Sequence, residues 1–72
     1  MAAPKNQLYQ VQAPTFAAGL VVSPQGVILR CAPILRGWRG RPVADLQAWC
    51  EAGASRRYRL VLVGDDPYPA AG

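Results

Sequence analysis

The chain contains no histidine and only four acidic residues, Asp45, Glu51, Asp65 and Asp66. Without histidine there is no Ser–His or Cys–His nucleophile pair and no His-containing metal set. Four scattered acids leave little for carboxylate chemistry, and the adjacent pair Asp65 and Asp66, just before Pro67, reads as solvation of a chain end rather than as a cation site. Cysteine is scarce too. Cys31 and Cys50, nineteen positions apart, are too few for a secreted disulfide framework and wrongly spaced for zinc. Each sits among apolar neighbours, which predicts reduced core thiols. Long apolar runs are missing: the longest, Phe16 to Val22, has seven residues, against the roughly 20 that cross a bilayer. No basic-then-apolar signal pattern precedes it. These absences predict a non-catalytic cytoplasmic protein that needs no metal or cofactor and no membrane, and that acts by binding.

What is present suits one small domain. Seventy-two residues supply a single core, and a chain of this size buries only about 60% of the surface its unfolded form exposes. Half the residues are apolar, and seven prolines and seven glycines punctuate the chain. That composition fits neither a disordered tail nor a long-helix protein.

Met1 to Gln7 shows no periodicity and is expected to be loose. Leu8–Gln12 alternates apolar and polar side chains from Tyr9, as a half-buried strand does, and Ala13-Pro14 ends it. In the next strand Phe16, Ala18, Leu20 and Val22 share a bulky face; Gly19, on the bare one, suggests a bulge or a close backbone approach. Ser23-Pro24-Gln25-Gly26 is a turn signal, so a hairpin leads into Val27–Cys31, with Val27, Leu29 and Cys31 facing one way and Ile28 and Arg30 the other. Ile34–Trp38 reads as a short helical turn broken by Gly37 and Gly40.

A helix of about three turns is predicted from Pro42, favoured at the first helical position, to Gly53, suited to a left-handed cap. Val43, Leu46, Trp49 and Cys50 form its apolar stripe, and Asp45 complements its dipole. After Ala54-Ser55, the alternation in Arg56–Val63 predicts a last strand. The expected fold is α+β: a mainly antiparallel sheet of about four strands in ββ-α-β order with one helix on one face. It occupies residues 8–64, with flexible termini at 1–7 and 65–72.

The basic residues are concentrated. Arg30, Arg36, Arg39 and Arg41 lie within twelve positions that hold no acid, around Trp38, while Arg57 and Arg59 follow Arg56 into the last strand. Seven of the eight basic residues are arginine, whose planar fork matches carboxylate or phosphate. The candidate binding surface is therefore Arg30, Arg36, Trp38, Arg39, Arg41, Arg57 and Arg59, facing either an acidic protein surface or nucleic-acid phosphates with Trp38 stacking on a base. The bland alternative is that these arginines only solubilise a small domain. If the helix covers Phe16, Leu20, Leu29 and Leu60, the opposite face shows Ile28, Arg30, Arg57, Arg59, Val61 and Val63. That mixture suits a homodimer contact or a partner site, or else the wet back of an open sheet.

The run Tyr9-x-Val11-x-Ala13-Pro14-x-Phe16-x-Ala18-Gly19-Leu20-Val21-Val22, followed by Gly26, Ala32-Pro33-Ile34-Leu35-Arg36 and the pair Trp49-Cys50, resembles a group of small proteins encoded by tailed phages and prophages. The likeness spans roughly Tyr9 to Leu60, and the Arg36–Arg41 segment departs from the group's usual composition. The resemblance implies an accessory protein in the cytoplasm of a bacterial host. Its partner would be a host protein or ribonucleoprotein, such as a CRISPR effector, another defence complex or RNA polymerase, which it inhibits or redirects. A small nucleic-acid-binding protein and a structural or assembly component of the phage particle are the other expectations.

Overall fold

The computed structural model describes residues 5–53 and 57–66. Four antiparallel strands, β1 (Gln7–Gln12), β2 (Ala17–Val22), β3 (Ile28–Cys31) and β4 (Arg59–Asp65), form one sheet in the order β3-β2-β1-β4. A 3-10 helix, η1 (Pro33–Trp38), and the helix α1 (Val43–Ala52) lie between β3 and β4. The architecture is thus the expected α+β sheet with one main helix, and three strands rather than two precede that helix.

Local chemistry sets the hairpins. Ala13 N–H donates to the Phe16 carbonyl (2.9 Å) to close the β1–β2 loop. At the β2–β3 turn Pro24 occupies the second position, Gly26 N–H donates to the Ser23 carbonyl (2.9 Å), and Gly26 takes φ +86°, a conformation open to glycine without steric cost. The Ser23 Oγ accepts from Val27 N–H at 3.2 Å and holds the exit of the turn.

The core lies between the sheet and the helices. Val11, Ala18, Leu20, Val22, Ile28, Leu35, Leu46 and Cys50 are its buried members, and Tyr9, Val43, Tyr58 and Leu60 pack against them. Alternation along β2 follows the sequence: Ala18, Leu20 and Val22 are buried, while Ala17 and Gly19 are exposed. Each fully buried Leu or Ile contributes roughly 1.5–3 kcal/mol, so Leu20, Ile28 and Leu46, the largest side chains buried almost completely, carry much of the stability of so small a fold.

Two bulges correct the expected faces. Val21 pairs with Arg30, but Val22 pairs with Ile28, leaving Leu29 as an extra residue. The extra residue reverses the alternation, so Ile28 is fully buried in the core and Leu29 is only half-buried outside it, the opposite of strict period two. In β4 the register slips in the same way: Tyr9 pairs with Leu62 and Leu8 with Gly64, which makes Val63 the extra residue. Of the residues expected on the open face, Arg30, Arg59 and Val61 lie there by register, opposite Val21, Gln12 and Gln10, and Ile28 does not.

The element ends also differ from expectation. Pro42 is the cap of α1 and not its first turn, and Gly53 has φ −88° rather than a left-handed conformation, its N–H donating to the Trp49 carbonyl at 3.0 Å. β4 begins at Arg59, after Arg57 has turned the chain with φ +58°. Order extends past the expected limits: Gln7 and Asp65 are in strands, and Asn6 and Asp66 are buried. The expected loose residues 1–4 and 67–72, the Ala54-Ser55 linker and Arg56 lie outside the described residues. Among the described residues no helix is long and apolar enough to cross a membrane.

Candidate functional site

The segment after η1 folds back along β3. Gly40, at φ +84°, reverses the chain; its N–H donates to the Ile28 carbonyl (2.7 Å), Ile28 N–H donates to Arg41 (2.9 Å), and Val43 N–H donates to Gly26 (2.7 Å). A bridge between Val27 and Pro42 completes the cover. These bonds occupy part of the outer edge of β3, which a bare strand would leave as a template for unwanted pairing. They also fix the backbone from which Arg39 and Arg41 project.

Arg30 from β3 and Arg36 and Arg39 from the η1 region line one cleft of about 380 Å³, with Cys31 as its fourth side. All three arginines are exposed. Arg30 Nη2 is 3.2 Å from Asp66 Oδ2, whereas Arg36 and Arg39 make no ion pair among the described residues. The Cys31 thiol donates to the Leu35 carbonyl at 3.2 Å and so ties β3 to η1 at the cleft floor. Arg36 and Arg39, without an ion pair among the described residues, can receive anionic oxygens there, since each presents a planar fork of N–H donors.

Trp38 and Arg41 belong to a different surface. The Arg41 guanidinium carbon lies 4.2 Å from the Trp38 ring centroid, and the same side chain reaches Asp45 at 3.6 Å. Trp38 then begins a row of rings: Trp38–Trp49 at 5.8 Å, Trp49–Tyr58 at 5.2 Å and Tyr58–Phe16 at 5.8 Å between centroids. Such tilted and edge contacts each add about 0.5–1.5 kcal/mol beyond area burial. Trp38 is half-buried and packs against the core, so one side of its ring meets Trp49 and a cation lies over it as well.

Arg57 and Arg59 stand apart. Arg59 is on the edge strand β4, opposite Gln12, and β1 and β2 separate β4 from β3. Three inter-strand spacings amount to about 14 Å. The seven residues singled out in the sequence therefore divide into a cleft (Arg30, Arg36, Arg39), a stacked pair (Trp38, Arg41) and a far edge (Arg57, Arg59).

Two site features escape sequence reading. Asp66 is 3% exposed and ion-paired to Arg30; it is not a solvated chain end, and its charge belongs to the folded part. A second, shallow depression of about 400 Å³ opens on the uncovered face of the sheet beside the cleft, lined by Leu8, Gly19, Val21, Arg30, Cys31 and Asp66 among others. Gly19 lies there in regular register opposite Gln10, with no other backbone closer than 4.0 Å to the place of a Cβ, so the bulge or close approach expected at this glycine is not found. Elsewhere, burial, helped by the adjacent Glu51 carboxylate, pushes the Cys50 thiol up from its ordinary range; both cysteines are free. Comparison of the chain with protein-family models, curated proteins and solved structures found no match.

Proposed function

We propose that the chain is a non-catalytic interaction protein that binds an acidic surface of a bacterial protein or ribonucleoprotein through the Arg30–Arg36–Arg39 cleft. By occupying that surface in the host cytoplasm it inhibits or redirects the partner, and an anti-defence role such as CRISPR inhibition is the most specific form of this reading. The observation that carries it is that Arg30, Arg36 and Arg39 line one cleft, where Arg36 and Arg39 have no ion pair among the described residues and Arg30 is engaged with Asp66. Arginine clusters of this kind recognise carboxylate-rich surfaces and speed association. The bacterial-host context is part of this proposal and rests on the Ala13-Pro14-x-Phe16-x-Ala18-Gly19-Leu20-Val21-Val22 pattern alone.

A nucleic-acid partner that stacks a base on Trp38 suits the structure less well. Base stacking requires an open aromatic face, and Trp38 is half-buried with Arg41 over its ring and Trp49 beside it. The test is affinity capture from bacterial lysate with the tagged protein, with and without nuclease, at low and moderate salt. A discrete protein complex that survives nuclease supports the proposal. Recovery of nucleic acid alone, lost steeply with salt, contradicts it.

A further inference from the structure

We infer that the acidic segment bound in the cleft carries a bulky apolar side chain beside its acidic groups, and that this side chain seats in the depression on the open face of the sheet. The inference rests on the cleft reading above and names the chemistry of the partner.

Four observations point the same way. Cleft and depression share Arg30 and Cys31, so they form one continuous surface. Gly19, part of its lining, contributes no side chain, and a Cβ built there meets nothing closer than the Tyr9 carbonyl, at 4.0 Å. Leu8 and Val21, which pair across β1 and β2 on the face that carries neither helix, give it apolar walls, and the Arg30–Asp66 ion pair forms its charged rim. Its volume, about 400 Å³, is open to solvent and leaves room for one bulky side chain.

Charge sets the polarity of the occupant. Asp66 flanks the depression and Arg30 is already engaged with it, so a second carboxylate entering there meets like charge. Arg36 and Arg39 line only the cleft. An acid in the cleft and an apolar group over Gly19 is therefore the favoured order. Interfaces commonly combine these two parts, an apolar anchor in a pocket and charged groups that set orientation.

The test uses two dye-labelled acidic peptides, Glu-Asp-Phe-Glu-Asp and Glu-Asp-Ala-Glu-Asp, titrated with the full chain and read by fluorescence anisotropy. The Phe peptide is expected to bind about tenfold tighter, as partial burial of one aromatic side chain implies. Gly19→Val fills the depression with a good strand former and should remain folded by circular dichroism, with Gly19→Ala as the milder variant. It should erase the Phe advantage and leave binding of the Ala peptide unchanged. Equal binding of the two peptides, or a Phe advantage that survives Gly19→Val, overturns the inference while leaving the cleft reading in place. Binding of both peptides unchanged by Arg36→Ala/Arg39→Ala overturns the cleft reading and the inference with it, as does a single-stranded oligonucleotide that binds where neither peptide does.

Discussion

Arg30 Nη2 lies 3.2 Å from Asp66 Oδ2, a contact that spans the open face of the sheet from β3 at one edge to the residue that follows β4 at the other. In register, Arg30 stands opposite Val21, Val21 opposite Leu8, and Leu8 opposite Gly64. The arginine thus crosses a row of apolar neighbours to reach a carboxylate 36 positions away in sequence. Asp66 N–H also donates to the Asn6 carbonyl at 2.9 Å, so the last described residue is held by both backbone and side chain.

This clasp predicts that Asp66→Ala destabilises the fold by about 1–2 kcal/mol, since a hydrogen bond to a charged group is worth more than a neutral one. The half-exposed guanidinium keeps the value below that of a fully buried pair. In a domain of this size each kcal/mol lowers Tm by about 4–8 °C. A double-mutant cycle with Arg30→Ala checks the coupling, and additivity of the two single effects would refute it.

The β3 bulge makes a contrast between neighbours. Ile28→Ala removes a fully buried side chain and should cost about 2–5 kcal/mol. Leu29→Ala, outside the core cluster, should cost about 1 kcal/mol or less. Urea midpoints of the two variants decide the matter, and a larger loss for Leu29 would mean that strict alternation holds.

Glycine substitutions separate conformational need from mere occurrence. Gly26 and Gly40 have φ of +86° and +84°, so alanine at either should cost about 1 kcal/mol. Gly37 has no such φ and open space around it; Gly37→Ala should be neutral or stabilising by about 0.4–1 kcal/mol. Thermal melts of the three variants test this.

Cys50 contributes a pH dependence. Its thiol is held up by burial and by Glu51, so the unfolded chain loses the proton first as pH rises. The stabilisation is complete below the ordinary thiol range, about pH 8.5, and is lost as pH climbs through the raised folded value. Urea midpoints should fall above that range more in the wild type than in Cys50→Val. Parallel pH profiles for the two would contradict the assignment.

Much of the fold was legible because it is local. Pro24 and Gly26 define the β2–β3 turn, alternation in β2 marks its buried face, and the Leu46–Cys50 spacing orients α1. The bulge at Leu29 was hidden, because one extra residue inverts a face without changing composition. The site was legible only as a list of arginines. Its division depends on β1 and β2 lying between β3 and β4, a long-range pairing that no residue spacing encodes. The role of Asp66 was hidden for the same reason, its partner being on another strand.

Capture from nuclease-treated bacterial lysate with two double variants decides whether the Arg30–Arg36–Arg39 cleft is the contact surface. A discrete protein bound by the wild type should be retained by Arg57→Ala/Arg59→Ala and weakened about tenfold or more by Arg36→Ala/Arg39→Ala. Retention by the Arg36/Arg39 variant, with loss in the Arg57/Arg59 variant, would move the contact surface to the far edge of the sheet and contradict it.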